Sequence, residues 1–259
     1  MYADSRDILI ALALKFKGKW DHMYRAMERR EFPEPEYYDQ INKIKSKVVT
    51  MLDENYPSFL KNVHHPPLVL FYYGDLDIAK DYYKNVSIVG SRDCSEYGVE
   101  MTKEITKGLV ERGYVIVSGM ASGIDGVAHR TCIESGGKTI AVLGCGIDIC
   151  FPSENKDIYK EIKENHLIIS EYPERTPPEG PNFPIRNRII AGLSKTVILT
   201  EASPMSGSLI TAGLALSMNA DVMCVPYRAG QNSECNRLIM NGAFLIESAD
   251  DVVNQMSRF

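Results

Sequence analysis

The sequence predicts an α/β fold: a parallel sheet with helices on both faces, preceded by a small all-helical N-terminal domain. Three observations predict it. From residue 86 onward, short Val- and Ile-rich runs alternate with amphipathic segments of helical length, the rhythm of strands buried on both faces. Glycines stand where those helices should stop, at Gly113, Gly136 and Gly242. Before residue 55, by contrast, apolar residues recur at three- and four-residue spacing.

The elements follow in order. Helices are expected over 5–16 (Ile8, Leu9, Leu12, Leu14) and 19–30 (Trp20, Met23, Met27), where Phe32-Pro33-Glu34-Pro35 breaks the pattern. A third is expected over 36–53, with Ile41, Ile44, Val48 and Leu52 inward. Residues 1–55 thus read as the helical domain. Residues 56–84 read as a connector that passes His64-His65-Pro66-Pro67 and ends in a short strand. Residues 85–259 read as the sheet domain. Its strands are expected over 86–89, 114–117, 139–143, 167–169, 195–199, 222–225 and 244–246. Its helices are expected over 96–112, 122–135, 155–164, 208–218, 232–241 and 248–256, with one more starting near Arg186.

Composition narrows the function. The chain has 259 residues, of which 44% are hydrophobic and 24% charged, enough for one sizeable core. No run approaches the ~18 apolar residues of a membrane span, and Met1 to Asp7 lack the basic-then-apolar start of a signal peptide. A cytoplasmic protein without membrane partners is expected. Six cysteines show no C-x-x-C spacing, so they read as reduced core residues, and no metal site is expected. The adjacent His64 and His65 lack a third ligand and read as structural or solvated. The net charge is −5; residues 1–84 carry 13 basic and 13 acidic side chains, the remainder 16 and 21. Nucleic-acid binding would therefore need a local patch.

In a sheet of this kind, ligands gather at the carboxyl ends of the strands. Gly90, Ser91 and Arg92 follow the first strand and suit a phosphate. Ser118 and Gly119, then Ser122 and Gly123, open a helix after the second. Asp125 and His129, four residues apart on that helix, read as a structural polar pair. After the third strand, Gly144-Cys145-Gly146 begins a dinucleotide fingerprint, but Ile149 replaces its third glycine and no cofactor is expected. A proline-rich loop over 177–181 then delivers Phe183-Pro184-Ile185-Arg186-Asn187-Arg188, cationic donors beside an aromatic ring at a helix start. Ser206, Gly207 and Ser208 open the helix after the fifth strand, with Thr211 adding a hydroxyl. Glu201 sits beside them and would repel phosphate unless it binds a hydroxyl or an amide. So many anion seats along one edge fit a chain of phosphates better than a mononucleotide.

These segments together resemble the DNA-processing protein A (DprA/Smf) family. The matching strings are Val89 to Arg92, Ser118 to Asp125 with His129, Ile140 to Asp148, Phe183 to Ser194, and Glu201-Ala202 with Ser206 to Ala212. Tyr56-Pro57 and Pro66 to Phe71 match upstream. The resemblance implies a Rossmann-like domain that binds single-stranded DNA, forms homodimers, helps load the RecA recombinase and protects incoming DNA in natural transformation, without enzymatic activity. In that reading Arg92, Arg186 and Arg188 meet phosphates. Ser91, Ser122, Ser206 and Asn187 hydrogen-bond backbone oxygens, and Phe183 stacks on a base. An alternative for Arg186 and Arg188 is a buried ion pair with Glu171 or Glu201, applying first to Arg188. Two departures stand out. Glu234 in Ser233 to Ile239 replaces a usual glycine, and the N-terminal helices match the family's sterile-alpha-motif-like domain by position only. No appended winged-helix domain is expected. The rival reading is a nucleotide-binding phosphoribohydrolase on a related fold, but the helix over 208–218 lacks the carboxylate such cleavage uses.

Overall fold

A computed structural model describes residues 4–231 and 234–257. The elements are α1 (Ser5–Lys15), α2 (Trp20–Glu28), α3 (Pro35–Ile41), β1 (Lys47–Thr50), β2 (Val69–Gly74), β3 (Asn85–Gly90), α4 (Glu96–Glu111), β4 (Val115–Ser118), α5 (Ile124–Glu134) and β5 (Thr139–Leu143). There follow α6 (Lys156–Asn165), β6 (Leu167–Ser170), α7 (Asn182–Gly192), β7 (Thr196–Glu201), α8 (Gly207–Ser217), β8 (Asp221–Cys224), α9 (Glu234–Met240), β9 (Phe244–Leu245) and α10 (Ala249–Met256). The expected start of the penultimate helix at 232, and Ser233 of its motif, lie outside the described residues.

The strands form one sheet in the order β1-β2-β6-β5-β4-β3-β7-β8-β9. From β6 to β9 every pairing is parallel, as expected of buried Val/Ile runs. The chain builds β3 to β6 outward in one direction, then returns to lay β7 on the other side of β3. That reversal creates a crevice at the carboxyl ends of β3 and β7. The β3–β7 register shifts at Gly90, beside the crevice.

Helices cover both faces. Alternate strand residues such as Val89, Val117, Ile169 and Leu199 pack with Ile189 and Ile190 of α7 and Ala212 and Ala215 of α8. On the other face, Val86, Ile88 and Ile116 meet α4, α5 and α10 through Ile105, Ile124 and Val252. Phe71, Ala141 and Ile168 meet α1, α2 and α6 through Leu12, Met23 and Ile162. The N-terminal helices therefore share a core with the sheet.

Two expectations are corrected here. The helical N-terminal region is present but stops at Ile41; 36–53 is not one helix, because residues 47–50 form β1. Val48-Val49-Thr50 are β-branched and pair antiparallel with Val69 to Phe71. Glu174 draws the chain into that path by accepting from the amides of Lys45 (2.7 Å) and Ser46 (2.8 Å). The connector strand β2 also joins the sheet, antiparallel to β6, so the sheet is mixed at this end. No helix among the described residues is long and apolar enough to cross a membrane. Four of the six cysteines, Cys132, Cys145, Cys224 and Cys235, are buried.

Candidate nucleic-acid interface

A cleft of about 660 Å³ opens at the β3–β7 crevice. Nine of the fourteen predicted residues line it: Gly90, Ser91 and Arg92 after β3; Phe183, Arg186 and Asn187 on α7; Ser206, Gly207 and Ser208 at α8. Four separated chain segments thus meet once Ala121 and Asp125 of the β4–α5 region are included.

The β3 turn is held from beneath. Ser91 donates its amide to the Glu201 carbonyl (2.9 Å), and its own carbonyl accepts from the amide of Ile124 (3.1 Å). Gly123 permits this closeness: it has φ +72°, and a Cβ there would lie 2.4 Å from the Ser91 carbonyl oxygen. Arg92 is left exposed, with no ion pair among the described residues. Its guanidinium carbon lies 5.8 Å from the centre of the Phe183 ring. The Arg186 guanidinium carbon lies 5.9 Å from the same ring.

Arg186 lines the floor of the cleft but is only 3% exposed, with part of its guanidinium engaged by the fold. Its Nη1 donates to the carbonyls of Gly119 (2.5 Å) and Val142, and its Nε to Asn187 Oδ1 (3.2 Å). Burial pulls its pKa down, offset by Asp125. Burial likewise pushes the Asp125 carboxyl up, offset first by Arg186 and then by the amides of Ala121 and Gly119. A guanidinium keeps its proton under such opposition.

At α8, Ser206 accepts from the amide of Ser208 (3.3 Å), while Asn187 Nδ2 donates to the Gly207 carbonyl (3.1 Å) and ties α7 to this turn. Glu201 binds an amide and two hydroxyls, the arrangement the sequence called for beside a phosphate seat. Its carboxylate accepts from the Ser95 amide (3.0 Å) and hydroxyl (2.7 Å) and from the Tyr227 hydroxyl (2.9 Å).

Five predicted residues lie outside the cleft lining. Ser118 is fully buried and donates to the Ile88 carbonyl (2.6 Å), so its hydroxyl faces the sheet. Gly119 packs against Arg186 and Asp125, leaving no room for a Cβ. Ser122 is half-buried in the turn before α5, and Gly123 acts through the Ser91–Arg92 turn. Arg188 is the clearest correction: it is 6% exposed and makes a two-pronged pair with Glu171, both prongs at 2.6 Å. Its Nε also donates to the His65 carbonyl (2.8 Å). A guanidinium so engaged is part of the fold, which is the ion-pair alternative for this residue. Asp125 and His129 are both structural but do not pair: Asp125 holds backbone amides, and His129 Nδ1 meets Thr139 Oγ1 at 2.7 Å.

The cleft also contains side chains that sequence reading missed. Phe151, on the loop after β5, is 43% exposed, with its ring centre 5.5 Å from that of Phe183. Met205 projects from the β7–α8 loop, 98% exposed at φ +61°. Their only sequence signal was position at a strand end beside proline. Asn236 of the departing C-terminal motif clamps the backbone of Tyr227 through both its amide atoms (2.8 and 2.7 Å), while Glu234 pairs with Arg237 (3.0 Å).

The profile of the DNA recombination-mediator protein A family matches residues 47–257. The chain is 43% identical over 206 residues to DNA processing protein DprA of Streptococcus pneumoniae, covering 79% of this chain and 72% of that one. It is 38% identical over 214 residues to DprA of Bacillus subtilis, covering 80% and 70%. It is 43% identical over 205 residues to Protein Smf of Synechocystis, covering 78% of this chain but 52% of that protein, so the chain spans about half of that relative's length. The X-ray structure of DprA from S. pneumoniae superposes with a TM-score of 0.81 at 36% identity, over 96% of this chain and 92% of that one. DNA processing protein A from Helicobacter pylori, solved for its single-stranded DNA binding mode, gives 0.74 at 30% identity, over 83% and 97%. With the family profile matched over most of its length and relatives at 38–43% identity, the chain belongs to the DNA recombination-mediator protein A family.

Proposed function

We propose that the β3–β7 cleft binds single-stranded DNA and that the protein acts as a recombination mediator. The observation that carries this reading is the Phe183 ring with two guanidiniums, Arg92 and Arg186, within 6 Å of it. An aromatic face accepts any unpaired base, the exposed Arg92 pairs with a neighbouring phosphate, and the buried Arg186 adds positive potential from beneath. Phe151 and the exposed Met205 add apolar surface for neighbouring bases. A duplex hides its base faces and gains little from such a surface. Family membership supports the finer reading: a cytoplasmic homodimer that helps load RecA and protects incoming strands during natural transformation.

The test is fluorescence anisotropy of labelled oligo-dT against the same length of duplex, across a salt series. Tight single-strand binding that weakens steeply with salt is expected. Equal affinity for duplex, or no salt dependence, refutes it. Release of free base from AMP by the purified protein would establish the phosphoribohydrolase reading instead.

A further inference from the structure

The turn between α1 and α2 lies against the same edge of the sheet as the cleft. Gly18, at φ +72°, sits so close to the end of β6 that a Cβ would lie 2.3 Å from the Glu171 carbonyl oxygen. From this turn, Trp20 donates its indole N–H to the Pro66 carbonyl (2.8 Å). Its ring stacks on Tyr24 (4.8 Å, 10°) and on His65 (4.1 Å, 21°), and His64 follows at 3.9 Å from His65. The result is a column of four rings with Tyr24, His64 and His65 exposed. His65 holds φ +55° directly before a proline, a conformation retained against local preference. A groove of about 760 Å³ runs along the column and includes Met51, Pro66, Leu68 and Arg25.

The charge here runs against that of the molecule. Residues 15–30 contain six lysines and arginines and two acidic residues, in a chain of net charge −5. Lys15 pairs with Glu34, Arg29 with Glu31 and Lys19 with Glu179, but Lys17, Arg25 and Arg30 have no ion pair among the described residues. The contact from Lys19 to Glu179 (3.7 Å) marks how near the cleft is, because Pro178 and Gly180 on either side of Glu179 line it. From β6 to β3 is three strand spacings, about 14 Å.

We propose that this ring column and the Lys17/Arg25 cations form a second single-strand contact, which takes the stretch of DNA leaving the cleft over the 177–181 loop. The inference rests on the reading of the cleft. The ring faces of Trp20 and His65 are covered by their neighbours in the column, so the end rings, Tyr24 and His64, supply the faces for unpaired bases, and the cations without ion pairs meet the intervening phosphates. Asp21 and Glu28 share the groove with Arg25, so the cationic contribution is narrow, and stacking dominates.

Trp20 is the only tryptophan in the chain, so its emission reports on this groove alone. Labelled oligo-dT of about 4 and about 16 nucleotides, the span of single-strand site sizes, would be titrated while anisotropy and tryptophan emission are both read. Both strands are expected to raise the anisotropy, but only the long one to quench Trp20. Tyr24→Ala should weaken the long strand about tenfold, the scale of one lost stacked base, and leave the short strand within about twofold. Lys17→Glu with Arg25→Glu should lower the long strand's salt slope by about 1.4. Long-strand binding with unchanged Trp20 emission and wild-type affinity in both variants overturns the inference and leaves this face to a protein partner. Absence of binding by either strand, seen in anisotropy, overturns the reading of the cleft itself.

Discussion

Arg188 and Glu171 form a two-pronged ion pair at the root of α7, with both N–O distances at 2.6 Å and both side chains nearly sealed from water. The pair joins the helix that carries Phe183 and Arg186 to the end of β6, and its third bond, to the His65 carbonyl, reaches the N-terminal ring column. Removing one partner leaves the other charge buried and unpaired, which costs about 3–5 kcal/mol. Arg188→Ala should therefore lower the thermal midpoint sharply, as scanning calorimetry would measure. A midpoint equal to wild type would contradict the structural role.

Arg92 is the opposite case: exposed, free of ion pairs among the described residues, and over the Phe183 ring. Arg92→Ala should leave the melt within about 0.5 kcal/mol, as for surface changes generally. It should reduce the salt slope for oligo-dT by about 0.7, the share of one phosphate contact on a single strand. Anisotropy titrations over a salt series read this directly.

Phe183 needs a more careful substitution. Its ring packs on Gly144, where a Cβ would lie 2.7 Å from Cδ1, so truncation to alanine would also open a void. Phe183→Leu keeps apolar volume and removes the π face. The expected result is a loss of about 1–3 kcal/mol in single-strand affinity with the thermal midpoint retained. An unchanged affinity would move the base-stacking site elsewhere, with Phe151 as the next candidate.

His129 gives the fold an acid-sensitive term. Burial pulls its pKa from the ordinary value near 6.5 down to about 3, with His166 and Arg186 adding to the effect. The unfolded chain therefore binds the proton first as the pH falls. The neutral ring's contribution is complete above about pH 6.5 and is lost progressively toward pH 3, at up to about 1.4 kcal/mol per pH unit. His129→Gln should flatten that part of the stability–pH curve relative to wild type, as measured by urea titration between pH 7 and about pH 4. Parallel curves would show that the ring is charged inside the fold.

Helical spacing at Ile41, Ile44 and Val48 was a true pattern, yet Val48-Val49-Thr50 became a strand because an edge of the sheet and the Glu174 carboxylate were waiting for it. Periodicity over a short apolar run does not distinguish the two states, and the pairing partner lies about twenty residues later in sequence. Phe151 and Met205 were illegible for a related reason. Nothing local distinguishes an exposed aromatic or methionine from a buried one until the loops around it are placed.

The sequence by itself determined the parallel strands, since continuous Val/Ile runs between amphipathic helices have few other ways to be buried. It also determined that Gly90 to Arg92 and Ser206 to Ser208 follow strands and that Phe183 to Asn187 open a helix after a proline-rich loop, where helix starts and small residues expose backbone donors. Only the tertiary structure decided between Arg186 and Arg188. Two residues apart on one helix, they point about 200° apart around its axis. One is thereby carried to the inner surface of the cleft beneath Phe183, and the other to Glu171 at the end of β6.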